Sequence, residues 1–166
     1  MFKNGYIHIT EKSLILANRI KLKLYLLFHP FLWGKGVQLN GMPKIYYPSE
    51  LEIGKDVSIN DNVVLQCGGG LHIGNCVTIS NGASILTAGL KTDNYLEVSQ
   101  QKHRNHISAP VFIGDGVWIC ANVIVTPGVK IAPNCIIAAG SVVSKSLTKP
   151  LSLYGGVPAV FIKDLS

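Results

Sequence analysis

Residues 113–143 read IGDGVWICANVIVTPGVKIAPNCIIAAGSVV, and within them Ile113, Ile119, Val125, Ile131, Ile137 and Val143 fall six residues apart. A helix repeats at about 3.6 residues and a strand at about 2, so this spacing belongs to neither. Upstream, the same step takes in Ile53, Ile59 and Leu65, then Ile73, Ile79 and Ile85. Four residues after each aliphatic the chain prefers a small or β-branched side chain: Val57, Val63, Gly69, Val77, Ala83, Val117, Val123, Val129, Cys135 and Ser141. Between them stand Gly54, Gly74 and Gly114 and the pairs Asp61-Asn62, Asn81-Gly82, Asp115-Gly116, Pro127-Gly128 and Pro133-Asn134. These are turn formers, suited to a positive φ or to the fixed φ of proline.

Each six is therefore a short strand plus a corner, and three sixes make a triangular coil of eighteen residues. Stacked coils pair through parallel β hydrogen bonds about 4.8 Å apart, so four coils stand roughly 19 Å tall. The aliphatic points into the prism and the small residue lets the corner close. A sandwich of short strands would show alternation with variable turn spacing instead. The fold expected is all-β, a parallel β-helix built as a triangular prism solenoid. The expected divisions are an N-terminal cap or arm at 1–44, the repeat at 45–148 and a C-terminal tail at 149–166.

The totals agree with one domain. The chain has 166 residues, 48% of them hydrophobic and 14% charged, which is a globular composition. A net charge of +6 invites anionic partners. No basic run with interleaved aromatics tracks a nucleic-acid backbone, so nucleic acid is not expected. Cys67, Cys76, Cys120 and Cys135 form no CxxC pair and read as reduced thiols. No apolar run is long enough to span a membrane, and Glu11, Lys12, Arg19, Lys21 and Lys23 interrupt any leader-like core. The expected location is the cytoplasm, with the inner face of the membrane as the alternative.

Residues 10–28, TEKSLILANRIKLKLYLLF, are helix-like and end near Pro30. Their basic, apolar mix suits either a cap on the prism or peripheral contact with a membrane surface. The repeat breaks between Ile85 and Ile113, where a long loop at about 86–112 carries His103 and His106. A loop of that length in a compact solenoid is expected to be functional. A smaller break, QCGGGLH, stretches the step from Leu65 to Ile73 to eight.

The pattern Ile/Leu/Val-Gly-x-x-Val/small-x, with IGDGVWICANVIVTPGVKI and AAGSVVSKS followed by GGVPAVFIK, resembles the hexapeptide-repeat acyltransferases. Within them it looks like the galactoside, maltose and colanic-acid O-acetyltransferase branch, over about residues 45–163. The resemblance implies a left-handed β-helix, a homotrimer and acetyl-CoA as donor, with no metal. It also implies an O-acetyltransferase acting on a hydroxyl of a sugar or surface-polysaccharide precursor.

Such a hydroxyl needs a base to take its proton as it attacks a thioester, and an imidazole suits that task. In the resembled branch the catalytic histidine follows the strand before the long loop, but here Leu90 stands near that position. The base is therefore expected from the far end of the loop: His106, anchored just before the repeat restarts, ahead of His103. Glu97 and Asp93 are candidates to orient the imidazole. The resemblance places the acceptor at Asn60, on a corner beside Asp61. It places the donor along Trp118, Ala121 and Ala139, with Ser144, Lys145 and Lys163 at the nucleotide end. Trp118 ends its six and should face outward. His72 should lie on the surface. Two alternatives remain open: a γ-type carbonic anhydrase with zinc on His72, His103 and His106, and a trimeric scaffold that has lost its base.

Overall fold

The computed structural model describes residues 3–93 and 105–165, with side chains from residue 13 onward, and divides them into two compact units at 34/35. The first unit carries helix α1 (Lys3–Leu27) and a 3-10 turn at Pro30–Leu32. The helix stops where Pro30 removes a backbone donor. Its end is finished by side chains: His29 stacks on Tyr25 with ring centroids 3.9 Å apart, and the Trp33 indole donates to the Leu26 carbonyl at 2.8 Å.

The second unit is the solenoid. Its first coil consists of β1 (Gln38–Asn40), β2 (Lys44–Tyr46) and β3 (Leu51–Ile53). The second holds β4 (Ser58–Asn60), β5 (Val64–Gln66) and β6 (Leu71–Ile73). The third runs through β7 (Thr78–Ile79) and β8 (Ser84–Leu86), leaves the prism as β9 (Ala88–Leu90), returns as β10 (His106–Ser108), and resumes with β11 (Val111–Ile113). The fourth has β12 (Trp118–Ile119), β13 (Ile124–Val125) and β14 (Lys130–Ile131). The fifth has β15 (Ile136–Ile137) and β16 (Val142–Val143), and a single parallel bridge from Leu147 to Ile131 stands for its third side. The tail is a hairpin: β17 (Ser152–Gly155) adds in parallel to β15, and β18 (Val160–Asp164) folds back antiparallel on β17.

Three parallel sheets result. Face one stacks β1, β4, β7, β12, β15 and β17, with β18 at its end; face two stacks β2, β5, β8, β13 and β16; face three stacks β3, β6, β11 and β14. The register aligns the inward aliphatics from coil to coil, as in Ile59↔Ile79 and Ile79↔Ile119 on face one and Leu65↔Ile85 and Ile85↔Val125 on face two. The core is those side chains. Ile59, Leu65, Ile79, Ile85, Ile119, Val125, Ile137 and Val143 have no accessible surface, and neither do the smaller Val57, Val63, Val77, Ala83, Val117, Val123 and Cys135. The second set does more than let corners close, because it fills the prism between the aliphatic columns.

The solenoid has five coils rather than the four that begin at Ile53. Leu39 and Ile45 belong to the frame, but the step from Ile45 to Ile53 is eight, like that from Leu65 to Ile73, and hides them. At the two ends of the break expected at 86–112, β9 and β10 pair with each other.

The corners turn through left-handed backbone. Asp56, Asn62, Cys76, Asn122 and Asn134 sit at φ between 55° and 57°, and Gly82, Gly116, Gly128 and Gly140 hold the equivalent places in other coils. Asn and Asp tolerate this region better than other non-glycine residues, which explains their frequency there.

Two outcomes are expected. Ile119→Ala should lower unfolding free energy by about 2–5 kcal/mol, while Ile124→Ala, on the outer face, should change it by no more than about 1 kcal/mol; urea titration of both variants reads the difference. Burial pushes the Cys67 thiol up to about 11 and also raises the Cys135 and Cys120 thiols, whereas Cys76 is exposed. A maleimide at pH 8 should thus label Cys76 first and leave Cys67 and Cys135 untouched until the protein is unfolded, as peptide mass mapping would show.

Candidate functional site

The edge between faces two and three carries the irregular corners. Each coil crosses it: at residues 47–50, at 67–70, through the β9–β10 ribbon, at 126–128 and at 144–146. The ribbon is rooted by Thr87, whose buried hydroxyl donates to the Gln66 carbonyl at 2.7 Å and accepts the Gly69 amide at 2.8 Å. The Ala109 amide closes the root by donating to the Thr87 carbonyl at 2.9 Å. Further out, the Lys91 amide donates to the Asn105 carbonyl at 2.9 Å.

The register of the ribbon pairs Ser108 with Ala88, Ile107 with Gly89 and His106 with Leu90. Alternation puts His106 and Ser108 on one face of the ribbon. That face lines a groove of about 590 Å³, together with Ala88 and, from the coils below, Tyr47, Ser49, Glu50, Gln66 and Gly68. Tyr47 takes a left-handed φ of 57°, unusual for a bulky residue, and the tight corner at Pro48 follows. Its ring lies over Gly68, where an added Cβ would come within 3.1 Å of Tyr47 Cδ2. The groove thus combines an imidazole, a carboxylate, two serine hydroxyls, an amide and the phenol ring of Tyr47. It is equipped to take a proton from a hydroxyl and to hydrogen-bond its neighbours.

The other expected positions lie elsewhere on this chain. Asn60 ends β4, and Asp61 follows on the edge between faces one and two. Asn60 accepts a hydrogen bond from Asn40 Nδ2 at 2.9 Å, and Asp61 Oδ1 accepts the Met42 amide at 3.2 Å. Ala121 and Ala139 stack on that same edge in the fourth and fifth coils, tied by the Gly140 amide donating to the Ala121 carbonyl at 2.9 Å. Trp118 lies outward on face one, 47% exposed, with its indole donating to Ser80 Oγ at 3.0 Å. Half-buried Cys120 follows on the same strand line. Ser144 and Lys145 are exposed on the edge that carries the ribbon, two coils beyond it. Lys163 is exposed on β18, opposite Leu153.

His103 and Glu97 lie outside the described residues. Asp93 is 3.9 Å from Lys91 Nζ, on the ribbon rather than in the groove. The carboxylate that does line the groove is Glu50, which the sequence reading did not single out. Extending the six-residue frame upstream through Ile45 would have put it on the ribbon's edge. His72 stands outward on face three, bonded through Nδ1 to Glu52 at 2.8 Å and stacked on Phe112 at 4.5 Å, within a different groove of about 560 Å³. Among the described residues no three His, Cys, Asp or Glu side chains gather to hold a metal.

The comparisons agree with the repeat and with the fold. The model of the bacterial transferase hexapeptide family (six repeats) matches residues 110–145. The galactoside O-acetyltransferase of Escherichia coli K12 is 31% identical over 75% of this chain and 60% of its own length, so this chain spans less than two thirds of that relative. WcaF of the same strain, named "Putative colanic acid biosynthesis acetyltransferase", is 32% identical over 79% of this chain and 68% of its own. Among solved structures, a maltose O-acetyltransferase from Clostridium difficile 630 superposes with a TM-score of 0.71 at 27% identity, over 93% of this chain and 89% of its own. A hexapeptide-repeat acetyltransferase from Vibrio cholerae, complexed with acetyl-coenzyme A, gives 0.67 at 29% identity over 79% and 72%. Six-residue frame, parallel prism and relatives together show that the chain belongs to the bacterial hexapeptide-repeat transferase family.

Proposed function

We propose that this chain transfers an acetyl group from acetyl-CoA to a hydroxyl of a sugar or surface-polysaccharide precursor, with His106 as general base. The observation that carries the reading is the ribbon register. Leu90 stands near the place where the resembled enzymes carry their histidine, and His106 is its direct cross-strand partner. On this reading the imidazole reaches that edge from the opposite strand. Acetyl-CoA as donor rests on the family and on relatives whose structures hold acetyl-CoA or CoA.

In the reaction, the unprotonated imidazole nitrogen of His106 takes the acceptor's proton as its oxygen attacks the thioester carbonyl carbon. The carbon–oxygen bond forms and the carbonyl electrons move to an oxyanion, which a backbone N–H stabilises. Collapse of that intermediate breaks the carbon–sulfur bond, and the imidazolium returns its proton to the departing sulfur. Glu50, Ser108 and Gln66 hydrogen-bond the rest of the acceptor. Lys145 and Lys163 meet the phosphates of the donor.

One prism does not bring these parts together. His106 lies on the edge between faces two and three, and Asn60, Ala121 and Ala139 lie on the edge between faces one and two. The proposal therefore requires copies of the chain, arranged as a homotrimer, so that the ribbon edge of one prism faces the other edge of its neighbour and the pantetheine arm runs in the cleft between them.

His106→Ala should lower kcat for acetyl transfer by about 10²- to 10⁴-fold with little change in donor KM; equal activity in a thiol-release assay across an acceptor panel would remove His106 as base. Lys163→Ala should raise KM for acetyl-CoA more than it lowers kcat, and an unchanged donor KM would remove that contact. Co-expressed His106→Ala and Asn60→Ala chains should recover about a quarter of wild-type activity in mixed oligomers, because a copy lending His106 and a neighbour lending Asn60 rebuild one site. No recovery would place both residues in the same chain's site.

A further inference from the structure

The whole net positive charge of the chain comes from one stretch. Residues 12–49 contain Lys12, Arg19, Lys21, Lys23, Lys35 and Lys44 and no Asp or Glu, while the rest of the chain has nine basic and nine acidic residues. Four of those six cations fall within α1, where Glu11 is the one acidic residue.

The same helix exposes large apolar side chains. Leu16, Ile20, Leu24 and Leu27 are 59%, 51%, 51% and 59% exposed, and Phe28, just past the helix end, is 77% exposed. Spacings of four, four and three residues put Leu16, Ile20, Leu24 and Leu27 on one stripe, while the exposed Leu14 and Ile15 lie off it, towards the helix's other side. Exposed Arg19 and Lys23, four apart, border the stripe on one side, and exposed Lys21 borders it on the other. At the end of the unit stands Trp33, 55% exposed, its indole held by the Leu26 carbonyl.

We propose that α1 is an interfacial helix that docks this chain on an anionic lipid bilayer. Leu16, Ile20, Leu24, Leu27 and Phe28 enter the acyl boundary, Arg19, Lys21 and Lys23 meet the headgroups with their stems lying along the apolar layer, and Trp33 sits at headgroup depth. Among the described residues no helix is long and apolar enough to cross a membrane, so the contact lies in the plane of the surface. Charge decides against a second copy as occupant. Pairing two such helices would bring their cations together with only Glu11 of each to offset them, whereas an anionic surface compensates every one. The consequence for function is location: an acetyl acceptor carried on a lipid would be reached in two dimensions rather than three.

Flotation of the full chain with vesicles tests this independently of acetyl transfer. The chain should float with phosphatidylglycerol–phosphatidylcholine vesicles and stay behind with phosphatidylcholine alone, and added salt should weaken the binding. The triple variant Leu16→Gln, Ile20→Gln, Leu24→Gln should bind at least tenfold more weakly, and Lys21→Gln, Lys23→Gln about fivefold more weakly for each cation removed. In a Trp118→Phe background, Trp33 emission should shift to the blue with the anionic vesicles, which keeps the test open should the triple variant fail to fold. Flotation that ignores lipid charge, wild-type binding by the triple variant, or no spectral shift would each overturn the proposal. So would a lower oligomer mass of the triple variant without vesicles, which would assign the stripe to contact between copies.

Discussion

Everything in the solenoid depends on closing a coil in eighteen residues. Each side is too short to be a stable strand alone, so its inward aliphatic must lie on the aliphatics of the coils above and below. Ile59, Ile79, Ile119 and Ile137 form one such column, all without accessible surface. The corner must then turn the chain within a few residues, and left-handed Asn62, Asn122 and Asn134 do so. Burial drives the stacking, and the corners fix the period.

That constraint has a consequence for chemistry. In a prism whose interior is filled by its own aliphatics, a site forms on the edges, on the faces or between copies. Irregularities collect at the edge between faces two and three: the eight-residue steps at Tyr47–Glu50 and Cys67–Gly70, and the ribbon above them. The ribbon brings His106 over a groove floored by the two widened corners, and Thr87, hydrogen-bonded at 2.7 and 2.8 Å, holds its root. The regular edge between faces one and two, with Asn60, Ala121 and Ala139, offers backbone groups at a constant spacing. The proposed reaction needs one edge of each kind.

How much was legible follows from which signals are local. The period, the inward residues, the outward Trp118 and the helix near residues 10–28 could be read because each rests on spacing within one segment. Leu39 and Ile45 escaped the frame because an eight-residue corner interrupts it. The strand β17 carries no six-residue signal, yet it extends face one, since Tyr154 and Ser152 bury themselves on the last coil. The pairing of His106 with Leu90 could not be read at all. It is set by the register of two three-residue strands whose sequences, AGL and HIS, carry little β-propensity. Glu50 was missed because its place in the groove depends on the stacking of coils two turns apart.

The most direct test of this account is a crystal structure of the chain with CoA bound. The account requires the pantetheine arm to lie along Ala121 and Ala139 of one copy, with the sulfur next to His106 of the adjacent copy. A CoA sulfur that rests beside no imidazole, or a complete site formed within one isolated prism, would contradict it.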